Sequence, residues 1–361
     1  MIKQILYKAG ILAGIILILS LVMKFTLPFY WGDSTQTVKF EHYKKNSEQY
    51  NAVYMGGSLE YRHIDPSIID STLQKNGIDF RSYNIAVDGH TFVEQMTDLD
   101  EMLKIRNPNL KYVFISISSE PYFFPANLHT SKWVCWHNAT STYRALSIIP
   151  TLEDDLKTRL KFCYFYVMSW VENILKIGFM PEVMQFIFQR DTYETGYLGN
   201  KKDGFYPYDY EEHRMFMEYQ WEDTLIRQSK REYESNAVKR DSLTSEVRKS
   251  FEQYTDKDKA NAAMVKLCME AYNKCKKMGI RVFFVLPPRA RTNYSLLLPV
   301  FHAMPDDAKI EVADPRKYPK YYAVDYGYNF HHLNYRGAKL QSHEMARQLL
   351  PLLQPAETSA P

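Results

Sequence analysis

The sequence predicts an α/β fold in which helices cover both faces of a doubly wound parallel sheet of five strands. Three observations carry this prediction. Short apolar runs bounded by Gly, Pro or Asp occur five times in the 361 residues, helical apolar periodicity alternates with them, and the run KYVFISIS at 111–118 is continuously apolar. A continuous apolar run is typical of a strand buried on both faces. Alternating strands and helices are typical of parallel sheets with crossover helices.

The strands are predicted in the order of these runs. The first run, NAVYMGGS, enters a tight glycine turn, and the second, FRSYNIAVDG, places Tyr83, Ile85 and Val87 at alternate positions. The predicted strands cover 51–58, 80–89, 111–118, 280–288 and 309–315.

Helices are predicted between the strands. Pro66 fits the first turn of a helix that Gly77 can end. Thr91, with Glu94 three residues later, forms a capping box at the start of a second helix. The other predicted helices of the α/β frame cover 259–278 and 335–350.

The segment 120–258 separates the third and fourth strands and shows no strand alternation. Its first half is aromatic, and its second half is rich in Glu, Lys and Arg at helical spacing. We therefore expect one α/β domain, 32–352, interrupted by this mostly helical insertion. The tail, 353–361, is polar and is expected to be disordered.

Residues 1–31 are predicted to form a membrane anchor. Lys3 and Lys8 precede fifteen uncharged residues, AGILAGIILILSLVM, which end at Lys24. A span of about 20 residues is reached if the lysine stems extend to the membrane surface and the aromatic residues up to Trp31 lie at the interface.

A cleaved signal peptide is the alternative to an anchor. No small-x-small cleavage pattern follows Val22, so we favour an uncleaved helix. Positive charge before the apolar run keeps the N-terminus in the cytoplasm and places 33–361 on the other side of the membrane.

The composition argues against several classes of protein. Lys and Arg number 45 against 42 Asp and Glu, and no long basic run occurs, so a nucleic acid is not an expected partner. The ten His include no HExxH or similar spacing, and the four Cys do not cluster with His, so neither a metal nor a cofactor is predicted. Cys268 and Cys275 are roughly 10 Å apart by helix rise, too far for a disulfide. A disulfide between Cys135 and Cys163 stays open.

Chemically competent side chains follow the predicted strands at the carboxyl edge of the sheet, where open α/β sheets bind ligands. Ser58 lies on a glycine turn before a helix, which exposes its hydroxyl and leaves backbone N–H groups free for an oxyanion. A histidine must then take the serine proton. The other candidates at this edge are Asp88, Gly89, His90, Ser118, Ser119, Glu120, Arg289, Arg291, Asp325, Asn329, His331 and His332.

Three sequence blocks carry a resemblance to a known family. MGGSLEYRHIDP, NIAVDGHT and HHLNYRGAK, in this order and spacing, resemble the SGNH (GDSL-like) hydrolase superfamily, whose sheet is flavodoxin-like. The match covers about 50–120 and 259–352 and leaves the insertion out. The resemblance implies that Ser58 is the nucleophile, that His332 is its base, and that the amides of Ser58 and Gly89 are oxyanion donors.

The sequence departs from the superfamily pattern at two places. SISSEP replaces the Gly-x-Asn-Asp block, which leaves Ser118 or Ser119 as substitute oxyanion donors, or none. Asn329 stands where the superfamily has an acid, three residues before the base. An amide oxygen can orient the imidazole but stabilises an imidazolium less than a carboxylate does, and Asp325 is the alternative acid if the loop folds back. His331 is expected to face solvent.

We therefore predict an extracytoplasmic serine esterase or O-acyltransferase, anchored in a bacterial inner membrane. The anchored topology, and FVLPP followed by Tyr294, are similar to envelope proteins that partner membrane-bound O-acyltransferases in polysaccharide acetylation. This resemblance implies acetyl esters and an envelope glycan, for which Arg289 and Arg291 are candidate contacts. The alternative is a catalytically silent relative that binds polysaccharide or scaffolds an acyltransferase complex, since the expected carboxylate is missing.

Overall fold

The chain divides into two compact units, each described by itself. The computed structural model describes residues 2–118, 128–152, 155–219 and 225–354, with the backbone alone for 214–219. The units are Met1–Glu41 with Tyr122–Glu194, and His42–Pro121 with Thr195–Pro361. This division differs from the single interrupted domain predicted above. The first half of the insertion groups with the N-terminal segment, and the second half groups with the sheet.

The second unit carries the sheet, whose five strands run parallel in the order β2-β1-β3-β4-β5. The α/β class and the five-stranded parallel sheet are thus confirmed. The chain order reverses between β1 and β3, and such a reversal opens a crevice at the carboxyl ends of these strands. The strands are β1 Ala52–Met55, β2 Ser82–Asn84, β3 Tyr112–Ser116, β4 Arg281–Leu286 and β5 Lys309–Glu311.

Helices lie before, between and after these strands along the chain, and they occur in both units. In chain order they are α1 Ile2–Thr26, α2 Ser34–Asn46, α3 Ser58–His63, α4 Pro66–Lys75, α5 Phe92–Lys104, α6 Ser131–Trp136, α7 Ala139–Ile148, α8 Leu156–Leu175, α9 Met180–Gln189, α10 Tyr208–Tyr219, α11 Leu225–Ser235, α12 Ala237–Gln253, α13 Ala262–Lys277, α14 Tyr294–His302 and α15 Tyr335–Leu353.

The capping signals mark the starts of the first crossover helices. Asp65 Oδ1 accepts the N–H of Ser67 at 3.1 Å, and the proline before Ser67 is the first residue of α4. Before α5, the N–H of Thr91 donates to Glu94 Oε2 at 2.9 Å. Such contacts satisfy backbone donors that have no partner within the helix, so short polar motifs fix where the chain leaves the sheet.

Stacked aromatic side chains fill the sheet core. All four residues of β1 are buried, as are the last four of β3. The ring of Phe114 lies 4.6 Å from that of Tyr54 and 5.1 Å from that of Phe283, measured between centroids. Cross-strand packing of this kind holds β1, β3 and β4 in register and makes the carboxyl edge a rigid base for side chains.

The first unit consists of α1, most of α2, and α6 to α9. Its α1 has 25 residues and a mean hydropathy of 2.4 in its most apolar window, so it is long and apolar enough to span a membrane. The insertion tryptophans Trp133 and Trp136 are buried, and Trp133 Nε1 donates to Ser169 Oγ at 2.6 Å. Cys135 and Cys163 are both free thiols, so the disulfide left open above is not formed.

Candidate active site

Ser58 is the first residue of α3 and follows β1 across a two-glycine turn. Gly57 is the N-cap of the helix, and its N–H donates to Glu60 Oε2 at 3.1 Å. Gly56 has no room for a side chain, because a Cβ there would lie 2.2 Å from the same oxygen. The glycines therefore allow a sharp turn that leaves Ser58 partly exposed at the carboxyl end of β1.

The structure brings Ser58, His332 and Asn329 into one hydrogen-bonded row. Nε2 of His332 lies 2.8 Å from Ser58 Oγ, although 274 positions separate the two residues in the chain. Nδ1 of His332 lies 3.1 Å from Asn329 Oδ1. The row has the geometry of a nucleophile, a base and a group that orients the base.

The surroundings of Asn329 determine which ring nitrogen of His332 carries the proton. Its Oδ1 accepts the backbone N–H groups of His331 at 2.8 Å and His332 at 2.9 Å, which assigns this atom as the oxygen of the amide. Facing an oxygen, Nδ1 of His332 must donate, so the neutral ring keeps a lone pair on Nε2 for the Ser58 proton. Asp325 does not contact the ring: it is exposed, and its backbone carbonyl accepts from Asn334.

The electrostatics around His332 favour the neutral imidazole. Burial lowers its pKa well below the ordinary value of 6.5, and His63, His331, Arg289 and Arg62 lower it further. A neutral ring can accept a proton at neutral pH. The same surroundings disfavour the imidazolium that forms once the proton has moved.

His63, the last residue of α3, ties this helix to the loop that carries His332. Its Nε2 accepts the backbone N–H of Leu333 at 2.9 Å, and its side chain is completely buried. Burial, with smaller contributions from Arg289 and Arg62, lowers the pKa of His63 to about 3. The ring therefore remains a neutral acceptor, and α3 holds both Ser58 and the backbone beside the base.

A buried arginine and a tyrosine pack beside the imidazole. Arg62 pairs with Asp88, its Nε lying 3.3 Å from Asp88 Oδ1, and its Nη1 lies 3.5 Å from Glu211 Oε2. The guanidinium carbon is 4.6 Å from the centroid of the Tyr208 ring, which in turn lies 4.6 Å from that of His332. Charge pairing and stacking thus support one side of the base.

Glu60 and Asn84 support the glycine turn before Ser58 and the helix α3 that follows it. Glu60 is buried at 2% exposure, and burial raises the pKa of its carboxyl to about 7. Nδ2 of Asn84 donates to the backbone carbonyls of Glu60 at 2.7 Å and Ile64 at 3.0 Å, at the end of α3. The first residue of the NIAVDGHT block therefore anchors the short helix that begins at Ser58.

Two of the three predicted oxyanion donors have free amides. Within the described ranges, the backbone N–H groups of Ser58 and Gly89 donate to no protein acceptor. Gly89 has φ +74°, a conformation that favours glycine. Ser118 lies two residues beyond the end of β3 and is half-buried. Ser119 and Glu120 lie outside the described residues.

The arginines and remaining histidines at this edge have different environments. Arg289 Nη2 lies 3.2 Å from Nδ1 of His331. His331 is half-buried rather than facing solvent, because it packs beside this guanidinium, and burial with Arg289 lowers its pKa to about 4. Arg291 is exposed. His90 turns away from the row, and its Nδ1 lies 3.0 Å from Asp98 Oδ2.

Arg289 forms no ion pair with a carboxylate within the part of the chain that is described, although its charge lowers the pKa of the nearby Glu60 carboxyl. Its Nε is buried and has no hydrogen-bond acceptor there. With Asn329, His331 and His332 it lines a cavity of about 10 Å³. This cavity has room for about one water molecule. The Arg289 guanidinium is thus a positive group beside the base. Across the described residues, no three His, Cys, Asp or Glu side chains are grouped to hold a metal ion.

Sequence reasoning missed Glu60, Arg62, His63 and Tyr208. The first three lie within MGGSLEYRHIDP, so their proximity to Ser58 along one short helix was an available signal. Tyr208 lies in the insertion, where no local pattern pointed to the site.

No protein-family model matches the chain, and no curated protein matches it.

Proposed function

We propose that this protein is an extracytoplasmic serine esterase or O-acyltransferase that works through an acyl-enzyme on Ser58. The observation that carries the proposal is the row in which His332 Nε2 lies 2.8 Å from Ser58 Oγ while Asn329 accepts from the opposite ring nitrogen. A hydroxyl so placed can lose its proton as it attacks, which is the requirement for nucleophilic catalysis by serine.

Each step has a group to perform it. Ser58 Oγ attacks the acyl carbonyl, its proton moves to Nε2 of His332, and the N–H groups of Ser58 and Gly89 stabilise the oxyanion. His332 then returns the proton to the departing alkoxide as the ester bond breaks, leaving the acyl group on Ser58. Water or an acceptor hydroxyl gives its proton to His332 as it attacks the acyl-serine. The bond between the acyl group and Ser58 Oγ then breaks, His332 returns the proton to Ser58 Oγ, and the acyl group leaves on the water or acceptor oxygen.

The substrate is proposed from Arg289 and from the family resemblance together. A partly buried guanidinium that forms no ion pair with a carboxylate among the described residues can bind an anionic substituent of the substrate. The SGNH resemblance adds an acetyl ester and an envelope glycan, with a membrane-bound O-acyltransferase as partner. The apolar α1 supports membrane attachment. The lysines before it, Lys3 and Lys8, favour a topology with the second unit outside the cytoplasm.

The test uses the full chain in detergent micelles. Wild-type protein should react with a serine-directed fluorophosphonate at Ser58, found by peptide mass spectrometry, and should hydrolyse p-nitrophenyl acetate. Ser58→Ala should abolish both. Ser71→Ala, a change at an exposed serine of α4, should leave both unchanged. Absence of labelling at Ser58 in folded wild-type protein would overturn the proposal.

A second candidate is a silent binding protein, and one observation favours it. The groups that influence His332 are basic or neutral, and its orienting partner is an amide, so nothing in the row compensates an imidazolium. A binding protein would retain affinity for an acidic glycan after Ser58→Ala, lose it after Arg289→Ala, and react with neither reagent.

A further inference from the structure

Helices α8 and α9 of the first unit expose apolar side chains in regular rows. On α9 and just before it, exposed apolar residues recur at helical spacing. One of them, Phe188, is 72% exposed. The exposed apolar residues are Leu156, Leu160, Tyr164 and Val167 on α8, and Ile177, Met180, Met184, Ile187 and Phe188 at α9.

The opposite side of α9 packs on the segment through which the chain leaves α1. The ring centroid of Phe186 lies 6.2 Å from that of Tyr30, and that of Phe179 lies 6.0 Å from that of Trp31. Tyr30 and Trp31 follow the end of α1 by only a few residues and are themselves buried. α9 is therefore apolar both towards the protein and away from it.

The depth of α9 in a membrane follows from this contact. At 1.5 Å per residue α1 is about 37 Å long, enough to cross a hydrocarbon core of about 30 Å. If α1 spans a bilayer, the aromatic residues just after it lie at the membrane–water interface, where such rings are enriched. α9, packed on Tyr30 and Trp31, must lie at the same level.

The end of α8 reaches at least as deep. Ser20 Oγ donates to the backbone carbonyl of Leu175 at 3.1 Å. Ser20 precedes the end of α1 by six residues, or about 9 Å of helix rise. Lys176 follows Leu175 and is 3% exposed, and its Nζ lies 5.2 Å from the centroid of the Trp31 ring, so the end of α8 packs against the segment that follows α1.

We propose that α9 lies in the interface of the bilayer that α1 spans, with its exposed apolar row in contact with lipid. The occupant is lipid because a surface held at this depth meets acyl chains unless a protein displaces them. Isolated exposed apolar residues are ordinary on soluble proteins, but five that recur at helical spacing at α9 mark an interaction surface. The inference depends on the anchor and is independent of the chemistry at Ser58.

The test measures the depth of single labelled positions in the full chain, reconstituted in phosphatidylcholine–phosphatidylglycerol vesicles. Cys163, which is half-buried, is first replaced by Ser, and the other three cysteines are buried. Met184→Cys and Phe188→Cys then carry an environment-sensitive nitrobenzoxadiazole label. The matched control is Val238→Cys on α12, an apolar position that is 81% exposed, close to the 72% of Phe188.

The label at positions 184 and 188 should emit at shorter wavelength than the control. Lipids spin-labelled near the headgroup should quench it several-fold more strongly than lipids labelled near the chain end. Emission and quenching equal to those at position 238 would overturn the proposal. Shielding that appears in native membranes but not in vesicles of pure lipid would also overturn it, since a protein would then cover α9.

Discussion

Replacing Asn329 with Asp tests how the candidate base is controlled. In the wild-type protein the amide oxygen accepts three N–H groups, two from backbone and one from the ring of His332. An aspartate keeps these acceptor positions and adds a negative charge. The change therefore isolates the effect of charge on the imidazolium from the effect of ring orientation.

The expected shift in the pKa of His332 follows from the distance between the imidazolium and the new carboxylate. With Nδ1 and Oδ1 3.1 Å apart, the two charge centres lie roughly 4 Å from each other. At an effective dielectric constant of about 20 their attraction is about 4 kcal/mol, which would raise the pKa of His332 by about 3. Burial of the new carboxylate subtracts from this, so we expect a rise in that pKa of about 1 to 3.

The assay is the pH dependence of kcat/KM for p-nitrophenyl acetate, from pH 4 to 8. Because the pKa of His332 is well below 6.5, wild-type activity should stay level from pH 7 down to about 6. Asn329→Asp should shift the acidic limb to higher pH and increase kcat/KM on the plateau by about 10- to 1,000-fold. Asp325→Asn, at an exposed position of the same loop, should change neither. A folded Asn329→Asp protein with an unmoved limb and an unchanged rate would refute this reasoning.

Three further predictions concern the support of the site. Gly56→Ala should lower the free energy of unfolding by about 1–3 kcal/mol, measured by urea titration, because its Cβ would meet the buried Glu60 carboxyl; an unchanged midpoint would contradict the packing. His63→Leu should leave the Leu333 N–H without its acceptor, costing about 1–3 kcal/mol, and should lower kcat more than it raises KM; a change in KM alone would contradict a positioning role. The pKa of Glu60 is raised from 4.5 to about 7, so its contribution to stability is complete below pH 4.5 and is lost as the pH rises to 7. Glu60→Gln should therefore remove up to about 3 kcal/mol of pH dependence over that interval, and urea titrations showing the same dependence in both proteins would rule this out.

Much of the sheet follows from local patterns. Each strand is a short apolar run between turn residues, and buried parallel strands need little else to be recognised. The observed strands are shorter than the predicted ones. The run 80–89, for example, contains only the strand β2, Ser82–Asn84, because its outer residues form loops instead of pairing with β1. The strand pattern places Ser58 and His332 at one edge of the sheet, while the choice of His332 over His90 and His331 as the base came from the resemblance carried by HHLNYRGAK.

The unpredicted features depend on contacts between distant parts of the chain. The imidazole of His331 is buried by Arg289, which lies 42 positions away and in another loop. Tyr208 reaches the base from an insertion whose composition resembles any charged helical segment. The split of that insertion between two units likewise depends on packing partners, to which sequence periodicity is insensitive.

The six-residue helix α3 begins at Ser58 and ends at the histidine that binds the loop of the base. A rigid displacement of α3 would move Ser58 and His63 together. Because His63 binds the loop that carries His332, the Ser58 hydroxyl and the His332 imidazole should keep their separation when the sheet edge fluctuates. The distance between Ser58 Oγ and His332 Nε2 should therefore depend little on movements elsewhere in the second unit. Substitutions elsewhere in the sheet could accumulate over evolution without altering this proton-transfer distance, provided that Ser58 and His63 at the two ends of α3 keep their contacts.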